Sequence, residues 1–230
     1  MRVLSATSTI YLHVKQTEGT ETANVSFDLG AATMEYGNNS TFFQWGRKDP
    51  MPPSTGLANA KKSIYGTYST IVNMSTTDIS ATIRSPYCYN TSDGNSSLEL
   101  WNVGNTVTTV NVNPIVKSIY DPSPAGFHVP CSGAFQGWGE SGRFYWQSTA
   151  GKQGYYIYQL GVSIGNPILF QAFGDWSSGG IGYVGLGGGY WTAGPAATSH
   201  GRYLDVYNGG FNPENSISRS HAYVVRPAAE

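Results

Sequence analysis

Two short alternations of apolar and polar residues open the chain. From Ser8 to Lys15, Ile10, Leu12 and Val14 alternate with Tyr11, His13 and Lys15; from Ala23 to Leu29, Val25, Phe27 and Leu29 alternate with more polar neighbours. A period of two sends successive side chains to opposite faces, so both segments are predicted as amphipathic strands, bridged by a polar turn around Gly19. The same period returns near the C-terminus, where Leu204 and Val206 alternate with Tyr203, Asp205 and Tyr207. There it assigns the aliphatics to a core and the two tyrosines with the carboxylate to the opposite, exposed face, which is free to contact a ligand.

Between these ends the pattern is more broken. Phe42-Phe43-Gln44-Trp45 is an aromatic cluster expected in the core, followed by a surface loop at Met51 to Gly56. Gly66 to Ser97 is mostly Ser, Thr, Asn and Asp with little period, and long loops with at most one short strand are expected. Leu98 to Asn102 and Thr106 to Val112 read as extended pieces. Asp121-Pro122-Ser123-Pro124-Ala125-Gly126 is a strong turn, because each proline fixes its own φ and disfavours helix in the residue before it. Phe127-His128-Val129 should leave it as a strand, and Cys131 to Trp138 as a short helix or a loop. Arg143 to Thr149, Gly154 to Leu160 and Ile168 to Phe173 are predicted strands. Gly179 to Gly189 is very rich in glycine but lacks a Lys-Ser/Thr pair and a following helix, so close approach of strands explains it better than a phosphate cradle.

Composition narrows the class. At 230 residues the chain can bury a core without metals or cross-links, and one compact unit is expected. Charged residues make up only 12%, while 16 Tyr, 6 Trp and 29 Gly are many, so polarity comes from Ser, Thr, Asn and Gly. That is the profile of an extracellular, loop-rich protein. A net charge of -1 with no Lys/Arg cluster argues against nucleic acid, and no apolar run approaches the length of a membrane span. Met1 to Thr7 lacks a long apolar stretch, so no export signal is expected in the chain as given, which suggests a fragment of a longer surface protein or a component of an extracellular particle. Cys88 and Cys131 are far apart in sequence, and a disulfide or two small buried side chains are both open readings.

Several segments, taken together, resemble one family. They are Asp28-Leu29-Gly30-Ala31, Phe43-Gln44-Trp45-Gly46-Arg47-Lys48-Asp49-Pro50, Leu100-Trp101-Asn102, the run Lys117 to Pro130, Tyr190-Trp191 and Val225-Arg226-Pro227. The pattern, spanning about Phe27 to Pro227, is similar to the Fibrobacter succinogenes major paralogous domain of Bacteroidetes surface proteins. The resemblance implies an α+β, C-type-lectin-like fold: mainly antiparallel β with one or two short helices and long loops. It divides the 230-residue domain into an N-terminal strand extension, 1–26, and a family-like core, 27–227. Where the family usually has cysteine, this chain has Ser123, so the family's cysteine pairing does not transfer. The same fold class includes the variable proteins of diversity-generating retroelements, on phage tails and cell surfaces, which bind ligand through a C-terminal strand-and-loop face.

Other chemistries fit less well. The calcium loop of true C-type lectins is Glu-Pro-Asn with a later Trp-Asn-Asp strand, whereas here Trp101-Asn102 is followed by Val103 and Asn212-Pro213-Glu214-Asn215 comes afterwards in another order; a polar turn is the plainer reading. His13, His128, His200 and His221 lack the spacing of a zinc pair, so no metal or other cofactor is expected. Gly161-Val162-Ser163-Ile164-Gly165 matches a hydrolase elbow but leads into Asn166-Pro167 and another strand-like run instead of a helix. The formylglycine-generating enzyme shares the fold class and works through cysteines, but neither Cys88 nor Cys131 sits in a context that would activate a thiolate.

The expectation is therefore a non-enzymatic ligand-binding or adhesion module at a bacterial surface or phage tail, binding a protein or glycan receptor. Its contact residues are expected to be Trp176, Tyr190, Trp191, Tyr203, Asp205, Tyr207, Asn208, Asn212 and Asn215, with Trp191 also open to a core reading because it lies in a family motif. Trp45, Trp101, Trp138 and Trp146 are expected in the core. A formylglycine-generating-type oxidoreductase and a structural pilus or fibre subunit are the alternatives.

Overall fold

Thr9–Lys15 (β1) and Thr22–Asp28 (β2) pair antiparallel, with Ile10, Leu12 and Val14 opposite Phe27, Val25 and Ala23. The register thus matches one apolar alternation to the other, as the common period of two allows. A computed structural model describes residues 9–15, 22–28, 41–51, 72–85, 88–92, 97–138, 144–149, 153–158, 167–177 and 180–230. The turn around Gly19, the Met51–Gly56 loop beyond Met51 and the Gly161–Gly165 run lie outside these residues. The chain forms two compact units, Met1–Gly37 and Asn38–Glu230. The boundary at 37 keeps all of β2 with β1, where a break after residue 26 would cut through the strand.

The second unit is mainly β. Its strands are Phe42–Gln44 (β3), Val72–Met74 (β4), Cys88–Asn90 (β5), Phe127–His128 (β6), Phe144–Gln147 (β7), Gly154–Ile157 (β8), Ile168–Gln171 (β9), Asp175–Ser177 (β10), Gly180–Gly182 (β11), Gly187–Pro195 (β12), His200–Tyr207 (β13), Gly210–Ser218 (β14), Ala222–Val224 (β15) and Ala228–Ala229 (β16). The strands expected near 127, 144, 154 and 168 are all present. The main sheet has the order β11-β10-β15-β12-β13-β14, with β3 also on β15; β12 and β15 run parallel and its other pairs antiparallel. A three-stranded sheet, β7-β8-β9, and the two-stranded pairs β4-β5 and β6-β16 complete the described elements. The Ser/Thr/Asn-rich region, expected as loops with at most one short strand, holds two among its described residues, β4 and β5, and the helix Ile79–Arg84 (α1), capped by Asp78, whose carboxylate accepts the Ser80 N–H at 2.8 Å. Leu98 to Asn102 and Thr106 to Val112, expected to be extended pieces, are irregular apart from a bridge between Asn102 and Lys117.

The main sheet is covered on both sides. Alternate residues of its central strands enter two different cores. Tyr190, Leu204, Val206, Ala222 and Val224 pack with Phe42, Phe135, Tyr155, Ile157, Phe170 and Trp176; Trp191, Ala193, Tyr203 and Tyr223 pack with Trp45, Leu100, Trp101 and Val129. This corrects the expected exposure of Tyr203. It is only 5% exposed, its ring edge-on to Trp191 at 5.8 Å and stacked on Tyr223 at 4.6 Å. Leu204 and Val206 do reach a core, but on the opposite face Tyr203 enters a second core, Asp205 is half-buried and only Tyr207 of the three is exposed.

Irregular segments close that second core through satisfied polar groups. Gly46, at φ +84°, takes the chain through a turn where a Cβ would meet the Leu100 side chain, and the Trp101 indole donates to the Arg47 carbonyl at 3.3 Å. Buried Asp121 accepts the Ser123 N–H at 2.7 Å and the Val129 N–H at 2.8 Å, so its carboxylate folds the Pro-rich turn back on itself. Lys117 Nζ donates to the carbonyls of Ser123, Pro124 and Phe127 on the outer side of that turn. Ser123 Oγ is buried and has no hydrogen-bond partner among the described residues.

Two stability predictions result. Leu204→Ala should cost about 2–5 kcal/mol and Tyr203→Ala a similar amount, since each truncates a core, whereas Tyr207→Ala on the same strand should change stability by about 0.5 kcal/mol or less. Urea unfolding of the three variants tests this; a stable Tyr203→Ala would contradict the second core. Ser123→Ala removes a buried hydroxyl without a partner and should raise stability by about 1 kcal/mol, read from the same curves.

Candidate functional site

The β13–β14 hairpin carries most of the expected contact residues. Tyr207 pairs with Gly210 across a two-residue loop, Asn208-Gly209, in which Gly209 takes φ +131°. Asp205 lies opposite Asn212 and Tyr203 opposite Asn215, a shift of register that inserts one extra residue in β14 around Pro213. Tyr207, Asn208 and Asn212 are exposed; Asp205 and Asn215 are half-buried and joined by a hydrogen bond from Asn215 Nδ2 to Asp205 Oδ2 at 2.9 Å.

Across the neighbouring strands, the same side of the sheet collects a polar and aromatic cluster. Gly189 of β12 pairs with Asp205. A Cβ there would lie 2.7 Å from ring carbons of both Tyr203 and Tyr223, so the absent side chain is what lets the two rings stack at 4.6 Å over the strand. Asp175 of β10 accepts from or pairs with His221 Nδ1 at 3.2 Å beyond them. Burial pushes the Tyr203 phenol up to about 12, helped by the neighbouring Asp205 charge. Tyr223 is pushed higher by burial, then by Tyr203 and by Asp175 and Asp205. Burial likewise raises the Asp205 carboxyl, and the Asn215 hydrogen bond works against that rise.

The other expected contact residues do not belong to this surface. Trp176 is buried edge-on to Phe42 at 6.4 Å in the first core. Tyr190 is buried there too, its hydroxyl donating to the Gln171 carbonyl at 2.9 Å. Trp191 is fully buried in the second core, its indole donating to the Phe43 carbonyl at 2.7 Å, which settles its open reading in favour of the core. Of the glycines next to these rings, Gly189 leaves its side-chain space to Tyr203 and Tyr223, not to Tyr190 or Trp191. Conversely Asp175, His221 and Tyr223 join the cluster without having been singled out; residues 175 and 221 are brought together only because β10 and β15 pair.

The Gln44–Pro50 segment is structural. Gln44 Nε2 donates to the carbonyls of Asn90 and Ser220, and Arg47 donates to Gln44 Oε1 at 2.9 Å and the Cys88 carbonyl at 2.7 Å. Arg219 lies over the Trp45 ring at 4.3 Å, with burial holding its guanidinium down at about 10. The cavity they help line is about 20 Å³, room for one water and not for a ligand. Cys88 and Cys131 are separate free thiols, and burial pushes the Cys88 thiol up against the opposing pull of Arg47. Among the described residues no three His, Cys, Asp or Glu side chains converge as a metal site would require. No family model matches the sequence, and neither a curated protein nor a solved structure matches it.

The Asp205–Asn215 contact is open to a direct check. Asn215→Ala removes the hydrogen bond that favours the carboxylate, so the Asp205 titration should move to higher pH, as followed by its carboxyl carbon shift in NMR. A carboxyl whose folded pKa lies above its unfolded value makes the fold lose stability as pH rises from the unfolded pKa to the folded one. The variant should therefore lose more stability than the native chain across that acidic window.

Proposed function

We propose that the chain is a non-enzymatic ligand-binding module of C-type-lectin-like fold, serving adhesion or receptor recognition at a bacterial surface or phage tail. The proposal joins the motif resemblance, which includes the variable proteins of diversity-generating retroelements, to one observation: Tyr207, Asn208 and Asn212 stand exposed on a hairpin whose strands are anchored in two cores. A tyrosine and neutral amides on a rigid support provide contact area and adaptable hydrogen bonds at small entropic loss. Asp205 and Asn215 sit behind them as a fixed polar pair. The receptor is a protein or a glycan.

The thiol-enzyme alternative gains nothing from the geometry, because a nucleophilic cysteine needs a stabilised thiolate and burial acts on Cys88 in the opposite sense. The test is a triple variant, Tyr207→Ala, Asn208→Ala and Asn212→Ala, applied with the native chain to glycan arrays and to arrayed bacterial surface proteins. Binding should fall by about tenfold or more while the melting temperature stays within a few degrees, as exposed substitutions usually allow. A folded triple variant that binds at full affinity would place recognition elsewhere.

A further inference from the structure

Next to the hairpin loop lies a turn, Tyr183–Leu186, within the glycine-rich stretch of sequence from 179 to 189. Tyr183 has φ +55°, the only non-glycine residue among those described in the left-handed region. For an aromatic L-residue that conformation is an outlier, while glycine or asparagine would occupy it with less strain. The strain is held from both sides. The Tyr183 carbonyl accepts the N–H groups of Leu186 and Gly187, each at 2.9 Å, and the Gly185 N–H donates to the Ala172 carbonyl at 2.8 Å. Nothing in the core uses the side chain that is carried there: Tyr183 is 70% exposed and Leu186 61%.

The turn and the hairpin loop are one surface. Gly187, which holds the Tyr183 carbonyl, pairs with Tyr207, and the Asn208 N–H donates to the Leu186 carbonyl at 3.0 Å. Tyr183, Leu186, Tyr207 and Asn208 are thus neighbours along two hydrogen-bonded turns, all exposed, and neither 183–186 nor 207–210 contains a charged residue. Two tyrosines, a leucine and an amide without charge make the composition found at the centres of protein–protein interfaces, where charge is depleted and aromatics are enriched. An exposed leucine offers a polyhydroxylated sugar no hydrogen bond and offers a protein an apolar contact.

We infer that Tyr183 and Leu186 extend the recognition surface of the β13–β14 hairpin and that this surface takes a protein partner, with the strained Tyr183 retained for contact. The inference rests on the hairpin reading above. To test it, random peptides displayed on phage are selected on the whole chain, and the recovered peptides are titrated against the native protein, Tyr183→Asn and Tyr207→Ala, with a thermal melt of each. Asparagine accepts the left-handed conformation, so Tyr183→Asn should keep or raise the melting temperature while weakening binding by about tenfold or more, as Tyr207→Ala also should. Peptides sensitive to Tyr207→Ala but indifferent to Tyr183→Asn would overturn the extension and leave the hairpin reading standing. Peptides indifferent to both would overturn both. A melting temperature for Tyr183→Asn as low as that of Leu204→Ala would make the residue structural and end the inference, and recovery of no peptide would count against a protein partner.

Discussion

Tyr190 and Trp191 are adjacent in β12, and their rings bury on opposite sides of the main sheet. The same split recurs at Tyr203 and Leu204 in β13 and at Tyr223 and Val224 in β15. A sheet buried on both faces demands a cover for each, and the rest of the second unit supplies them. The β7-β8-β9 sheet brings Tyr155, Ile157 and Phe170 to one side. On the other, irregular chain around Trp45, Leu100, Trp101 and Val129 does so, and it is held by side-chain hydrogen bonds because it has few ladder bonds of its own.

That double burial also fixes which side chains are left to solvent. Past the covered part of β12 and β13, the strands continue into Tyr207-Asn208 and the Tyr183–Leu186 turn, where side chains meet solvent on a support that cannot easily move. Between core and tip lies the polar cluster of Asp175, Tyr203, Asp205, Asn215, His221 and Tyr223, in which each acid has a near neighbour able to hydrogen-bond it. Rigidity behind and adaptable polar groups in front are the conditions under which loops bind selectively.

Much of the secondary structure was legible. The alternations at Ile10–Val14 and Val25–Phe27 gave β1 and β2, and the prolines after Asp121 marked a turn and the short strand behind it. What a period of two states is which residues share a face; whether that face is covered depends on other segments, and Leu100, Trp101 and Val129 reach Tyr203 from far away in sequence. Tyrosine made the error easy, since an amphipathic ring suits either setting. Two local signals were present and passed over: Asp78 ahead of a short helix, and Asn208-Gly209 between alternating strands, a strong hairpin indicator. No local signal links Asp175 to His221. The left-handed Tyr183 is equally invisible in sequence, because nothing in its letter reports φ.

The bulge around Pro213 bears on how the sheet edge would meet a second copy of the chain. β14 ends the main sheet, so its outer edge has no strand partner within that sheet. Proline offers that edge no N–H, the extra residue breaks its register, and the exposed Glu214 next to it adds charge. Were the chain displayed in many copies as proposed, the bulged β14 edge would be a poor template for adding a neighbour's strand, close to where the hairpin exposes Tyr207.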